Sequence, residues 1–318
     1  MKVQIISDIH LEHYNNEFRD FASIIKPNPE CKVLFLAGDI GQIDHSTFKP
    51  FMNYVSENWD EIYYVAGNHE FYQTARDKEQ CKTIQELEAE YDEFFLEYSN
   101  INYLHNKYSY ATQPVYHIWN EETGMLYFIL GNTGWSYYDE EAANYYTYTL
   151  NDSNYIYTKV TYCYGNGDII PKKFLIKHKD ISKLSEKCLY NIKMSCHEND
   201  NENEVYKWYK IHEIEAKYFD KIEDIRFICL THFPFANFEK TSHPDYHNQP
   251  EYLKSYFCND YSKYKRYLYS YNIFIAGHTH YSYDYKEGDK RFISNQKGYK
   301  DDLRIKNKEF KENCVFEI

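Results

Sequence analysis

Five times along this chain, a short apolar run stops at a polar cluster carrying Asp, Asn or His. Lys2–Ser7 leads into S-D-I-H (7–10), Lys32–Ala37 into G-D-I (38–40), and Glu61–Ala66 into G-N-H-E (67–70). In the last third, Ile225–Leu230 leads into Thr231-His232, and Ile273–Ala276 into G-H-T-H (277–280). Short apolar runs bounded by turn residues suit strands covered on both faces. Helix-like stretches, Phe18–Ile25 and Ser46–Asn58, lie between the first three. Strand–helix–strand alternation predicts βαβ units and a parallel sheet. The C-terminal ends of such strands face the ligand crevice, so clusters far apart in sequence should converge in space.

The clusters offer a coherent donor set. Asp8, Asp39 and Asn68 supply oxygens, while His10, His232, His278 and His280 supply imidazole nitrogens. Mixed N/O sets suit manganese, iron, zinc, cobalt or nickel, and suit calcium less well. No cysteine belongs to the set, which disfavours a purely structural zinc site. Seven ligands are too many for one ion but suffice for two if a carboxylate bridges, and two ions ~3.5–4 Å apart can clamp an in-line displacement. Asp-x-His and His-x-His spacing puts both members of a pair on one side of an extended segment. Gly38, Gly67 and Gly277 are expected to let the backbone turn sharply there. Any one of these residues alone would be read as a structural histidine or an ordinary turn; the joint pattern is not.

The rest of the chain is less informative. Thr74–Tyr98 has a helical pattern, and Ser109–Trp119 and Met125–Leu130 read as strands joined through Asn120–Gly124. Tyr137–Gly167 is rich in Tyr, Asn, Thr and Asp with weak periodicity, and reads as an elaborated loop or cap. Ile176–Ser195 and Glu204–Ile222 look helical, with a polar turn at His197–Glu204 between them. Tyr281–Tyr285 and Arg291–Ile293 suggest a hairpin, and Cys314–Ile318 a closing strand. Neither repeats nor a linker are visible, so one domain over residues 1–318, with a cap-like insertion around 137–167, is expected.

Composition sets limits on function. No run approaches ~18 consecutive apolar residues, so no membrane span is expected. The start of the chain reads as a strand rather than a signal peptide, which suggests a cytoplasmic protein, in the host cytoplasm if viral. The eight cysteines are scattered without C-x-x-C and read as free thiols. A net charge of −13 argues against a surface built for nucleic acid. From Lys254 onward, however, basic residues gather, among them Lys263, Lys265, Arg266, Lys290, Arg291 and Lys297. Such a patch could steer a phosphate-bearing substrate, although each residue alone is better explained as part of a solvated face. The 37 tyrosines read as the codon bias of an AT-rich genome.

The five clusters together resemble the calcineurin-like metallophosphoesterases, whose motifs run D-x-H, G-D, G-N-H-E/D, H and G-H-x-H. The resemblance is closer to a branch of small bacterial, phage and viral phosphoesterases. It is carried by S-D-I-H-L-E (7–12), G-N-H-E-F-Y (67–72), Thr231-His232 with Pro234, H-P-D-Y (243–246) and Gly298-Tyr299, and it spans nearly the whole chain. It implies a four-layer α-β-β-α sandwich of two mixed sheets flanked by helices. It also implies one metal on Asp8, His10, Asp39 and His280, and a second on Asp39, Asn68, His232 and His278, with Asp39 bridging. Manganese is the first expectation, with iron, zinc, nickel, cobalt or magnesium as alternatives. His69 would contact the phosphate and protonate the leaving oxygen. His243 and Arg291 are further candidates for substrate phosphate, and Glu70 for orienting a ligand.

The implied reaction is hydrolysis of a phosphomonoester or phosphodiester by a metal-bridging hydroxide, with the phosphoester as the only partner expected. Two other readings stand beside it: a nuclease or RNA-processing diesterase, and a binding scaffold without chemistry. Three departures are visible. Gly38-Asp39-Ile40-Gly41-Gln42-Ile43-Asp44 lacks the Arg of protein phosphatases, Phe233 replaces a second His, and Gln296-Lys297 replaces Pro-Arg.

Overall fold

Alternating burial explains why the apolar runs become strands. In the computed structural model, which describes residues 1–74, 80–105, 116–137, 140–146, 150–163, 169–192, 224–299 and 309–318, β2 (Val33–Ala37) is buried along its whole length. Val33, Phe35 and Ala37 join one core cluster, while Leu34 and Leu36 join another on the opposite face. A strand with period-two side chains can lack polar residues only when both faces are covered.

The first sheet has the order β15-β1-β2-β3-β4, where β1 is Lys2–Ile6, β3 Glu61–Val65, β4 Ile101–Tyr103 and β15 Phe316–Glu317. Only the β1–β15 pair is antiparallel in this sheet. The second sheet has the order β13-β14-β12-β9-β6-β5. Its strands are β5 (Tyr116–Asn120), β6 (Met125–Asn132), β9 (Asp224–Thr231), β12 (Ile273–Ile275), β13 (Tyr283–Glu287) and β14 (Lys290–Ser294). Its centre is parallel and its two edge pairs are antiparallel hairpins.

The sheets face each other across Ile5, Phe35, Tyr63, Ile129, Ile228 and Ile275, among others. The outer face of the first sheet packs on α1 (Phe48–Asn58) and α2 (Ile84–Phe95), through Phe51, Met52, Leu87 and Tyr91. The outer face of the second carries Phe274 and Phe292 against Leu268 and Tyr271. The architecture is therefore the expected mixed α/β one, with two major sheets and helices outside them.

Register then aligns the strand ends. Ile6 pairs with Leu36, Ala37 with Val65, and Leu230 with Ile275. An isolated parallel bridge, Ser7 to Gln296, ties the ends of the two sheets together.

Several local expectations change. Phe18–Ile25 forms only a 3-10 turn at Phe21–Ser23. The following Lys26-Pro27-Asn28-Pro29 disfavours helical backbone before each proline, leaving room for little more than one turn. Of the helix expected over Thr74–Tyr98, residues 75–79 lie outside the described residues, and the helix that follows spans Ile84–Phe95, with Thr83 and Glu86 forming a reciprocal capping box. The region read as loop, Tyr137–Gly167, contains α3 (Glu140–Tyr146), α4 (Asp152–Tyr155) and β7 (Tyr157–Cys163). Its β7 pairs antiparallel with β8 (Ile169–Leu175) in a separate two-stranded sheet. That hairpin was hidden because Tyr and Thr favour strands without giving apolar contrast. Helix α5 (His178–Ile192) lies where expected, whereas the helix expected at Glu204–Ile222 and its preceding turn lie outside the described residues. Short elements complete the fold: β10 (Phe235–Ala236), α6 (Phe238–Thr241), α7 (Glu251–Phe257), β11 (Asn259–Asp260) and α8 (Tyr261–Leu268). Among the described residues no helix is long and apolar enough to cross a membrane.

Phe35 is fully buried between the sheets and stacks on Tyr63. We predict that Phe35→Ala lowers unfolding free energy by about 3–5 kcal/mol, read as a lower urea midpoint at unchanged slope. A loss under about 1 kcal/mol would mean that this layer is not the core.

Candidate metal centre

The seven sequence-selected residues meet at the aligned strand ends. Asp8, His10, Asp39 and His280 offer ligand atoms that all lie within 4.8 Å of one another. Nε2 of His10 and Nε2 of His280 are 3.1 Å apart, as two imidazoles aimed at one centre would be. On the other side of Asp39, His232 Nε2 lies 3.4 Å from Asp39 Oδ1 and 3.1 Å from Asn68 Oδ1. The His278 ring stands 5.1 Å from that of His232. Asp39 thus turns Oδ2 toward His10, at 3.8 Å, and Oδ1 toward His232.

The backbone shows where the constraint sits. Among the described residues, the non-glycine positions at positive φ are Asp8, His10, Asp39, His278 and His280. That region is sparsely populated by non-glycine residues, and such strain gathers at functional sites. The loops are laced to hold it. Asp8 N donates to Gly38 O, His10 N to Asp39 O, and Gly277 N to His232 O, each at 3.0 Å. The glycines act differently from each other. Gly38 does turn through positive φ, but Gly67 and Gly277 do not. A Cβ at Gly67 would lie 2.2 Å from Asp39 Oδ1, and one at Gly277 would lie 2.7 Å from Asp8 Oδ2. These two are glycine because a carboxylate occupies the space.

Second partners fix the His232 and His10 rings. His232 Nδ1 lies 2.9 Å from the Ala37 carbonyl, which can only accept, so Nδ1 carries the proton and Nε2 faces the site. Glu12 Oε1 stands 3.2 Å from His10 Nδ1 and 3.0 Å from His69 Nδ1, with the same consequence for His10. Burial lowers the pKa of His10, His278 and His280, keeping them neutral as ligands must be. Burial opposes charge on His232 most strongly, but Asp39, Asp8 and the Ala37 carbonyl together lift the ring to about 9. Burial raises Asp8 to about 7, with Asp39 adding to the rise.

Two observations fit a bound cation. His278 Nε2 is buried with no hydrogen-bond partner, and a buried orphan nitrogen is costly unless something coordinates it. Asp8 and Asp39 are also both buried in one cluster, an arrangement that needs compensating positive charge.

The remaining candidates divide. His69 lies beside the cluster: its ring stacks on Tyr72, its backbone N–H donates to Asp39 Oδ1 at 2.9 Å, and its Nε2 faces the Tyr299 hydroxyl at 3.0 Å. Burial disfavours a charged His69, yet Asp39 and Glu12 raise its pKa to about 9. His243 sits apart, its Nδ1 accepting from Asp245 N, although its neighbours Ser242 and Tyr246 line the cavity. Arg291 is not brought to the site. It pairs with Ile273 at the start of β12, opposite the ligand end, and its guanidinium is held by Asp284. Glu70 acts on Asp39 through the backbone: its carboxylate accepts the backbone N–H of Asp39, Ile40, Gly41 and Gly67, and the Tyr64 hydroxyl.

Sequence reading missed Asp152 entirely. It is buried in the supposed loop, takes the Asn68 amide at 2.9 Å, and also binds the hydroxyls of Tyr72 and Tyr256. That bond fixes which end of the Asn68 amide faces His232. No local signal marks this residue; only its contacts do. Phe233, found where relatives carry a second His, packs on the His278 ring at 3.9 Å. His13 lies close enough to join His10, Glu12 and His69 in a second group of clustered donors.

A mixed two-sheet sandwich with a His/Asp/Asn cluster at its strand ends defines a metallophosphoesterase-type fold. The chain belongs to the calcineurin-like phosphoesterase family, whose model matches residues 1–282. It is 28% identical over 162 residues to an uncharacterized protein, L509, of Acanthamoeba polyphaga mimivirus, a match covering 48% of this chain and 51% of that one. The chain thus spans about half the length of this curated relative. Among solved structures, a phosphopantetheinyl hydrolase from Mycobacterium tuberculosis shares the fold, with a TM-score of 0.55 and 13% identity over 93% of this chain and 89% of that one.

Removing Asp152 frees the Asn68 amide. Asp152→Ala is expected to weaken metal retention about 10–100-fold, measured by competition with a chelator. Retention equal to that of the unaltered protein would show that Asn68 needs no such anchor.

Proposed function

We propose that this protein is a dinuclear metal-dependent phosphoesterase. The observation that carries the reading is Asp39, whose two carboxylate oxygens face two separate sets of nitrogen ligands. Asp8, His10, Asp39 and His280 would hold one divalent ion, and Asp39, Asn68, His232 and His278 the other. Manganese fits this oxygen- and imidazole-rich set, as do iron, zinc, cobalt and nickel. Ions held there supply Lewis-acid activation of water and charge neutralisation for in-line displacement at phosphorus.

The protein's own groups do the rest. His69 is the general acid. Glu12 holds its Nδ1 and supports the charged ring, leaving Nε2 to give a proton to the departing oxygen. Tyr299, 3.0 Å from that nitrogen, marks where the proton is handed over. Asp152 keeps Asn68 turned toward His232. Stacking of His69 on Tyr72 limits its rotation. Family membership supports phosphoester hydrolysis as the reaction class, and the intact donor set argues against a scaffold without chemistry.

Metal-stripped protein should be inactive on bis-p-nitrophenyl phosphate and on p-nitrophenyl phosphate, and should regain turnover with manganese. The preferred compound assigns diesterase or monoesterase activity. On an ester with a poor alkoxide leaving group, His69→Ala should lower turnover about 10²–10⁴-fold while retaining both ions. Asp39→Ala should lose metal together with activity. Full turnover by His69→Ala on that ester would remove His69 from the acid role, and metal-loaded protein inactive on every ester would count against the enzyme reading.

A further inference from the structure

We propose that the cavity beside the metal ligands is a slot for a flat apolar group, so the substrate is a compact phosphoester of an aromatic or similarly planar alcohol. The proposal rests on the hydrolase reading and names its substrate class.

The cavity has a volume of about 490 Å³, within the range of small-molecule sites. Asp39, Asn68, His278 and His280 form one end of it. The lining also includes Tyr145 from α3, Tyr246 from the turn after His243, and Phe257 from α7. These three are large and exposed, at 52%, 38% and 37%. Isolated exposed aromatics are ordinary, but three bordering one cavity beside the ligand cluster give it an aromatic lining. Phe257 also stacks on His278, with ring centroids 5.8 Å apart and planes 28° apart, so the aromatic wall is continuous with the ligand set. Buried Tyr256 and half-buried Leu253 extend it inward. A planar group fits such walls by offset or edge-to-face stacking.

Charge points the same way. Among the described residues lining the cavity, Lys254 is the single Lys or Arg. Its Nζ already lies 3.5 Å from both Glu239 and Glu251. Lys263, Lys265, Arg266, Lys290, Arg291 and Lys297 do not line it. Lys290 and Arg291 are committed to Asp289 and Asp284. A polynucleotide needs cations along its track to displace counterions, and among the described residues the cavity lining offers only the already paired Lys254. One phosphoryl group is served there, and the rest of the molecule meets aromatic rings.

The test uses unreactive ligands, so leaving-group chemistry does not enter. Phenylphosphonate and methylphosphonate are compared as inhibitors of one reference ester, with manganese-loaded full-length protein. Phenylphosphonate should bind about tenfold more tightly. Phe257→Ala and Tyr246→Ala should shrink that ratio toward one while leaving methylphosphonate affinity nearly unchanged, and Tyr246→Phe should keep it. Equal affinities in the unaltered protein, or stronger competition by a single-stranded oligothymidylate, would overturn the proposal. Calorimetric titration of both phosphonates reads the same ratio without turnover. A protein that prefers phenylphosphonate by calorimetry yet hydrolyses nothing would keep the slot and lose the hydrolase reading.

Discussion

Four backbone N–H groups from two different loops end on the carboxylate of Glu70. Three follow β2 and one follows β3, so a single buried side chain sets how the G-D and G-N-H-E segments meet. The Tyr64 hydroxyl completes its coordination from the strand beneath. With that grip in place, Asp39 is held in a left-handed backbone conformation, and its carboxylate fills the space beside Gly67. Leaving four buried donors without an acceptor would be costly, so the remaining geometry is built around this contact. Its sequence position, next to His69, suggested a helper for a ligand; the fold uses it to shape backbone.

Strain and pairing are distributed unevenly between the two sheets. The first contributes Asp8, His10, Asp39, Asn68 and His69, while the second contributes His232, His278 and His280. Neither sheet holds a complete set. The Ser7–Gln296 bridge and the His232–Ala37 bond cross between them, fixing the distance that two ions would have to share. Gln296 also touches Thr279 and the Tyr281 N–H, bracing the G-H-T-H loop from behind. The Gln that departs from the family's Pro-Arg pattern is therefore part of the support for this loop.

The region after Trp135 changes role once its contacts are visible. It contributes Asp152 to the ligand shell and Tyr145, Leu150 and Asn151 to the cavity. The same segment thus reaches both the orientation of Asn68 and the walls that would meet a substrate. Chemistry is set by the strand ends, whereas selectivity depends on elements added around them.

The sequence by itself determined the strands and the donors. Short apolar runs bounded by turn residues suit strands buried on both faces, and D-x-H, G-D, G-N-H-E and G-H-T-H at their ends name the groups that meet there. It also set the role expected of His69, through a motif read as resemblance. Tertiary structure alone decided which oxygen of Asp39 faces which histidines, that Arg291 lies at the wrong end of β14, and that Gly67 and Gly277 make room rather than turn. It alone found Asp152, because an acidic residue in a polar stretch carries no local mark. The physical reason is common to these cases. Strand formation and donor chemistry are properties of short segments, while orientation, access and second partners depend on residues tens to hundreds of positions apart, brought together only by the register of two packed sheets.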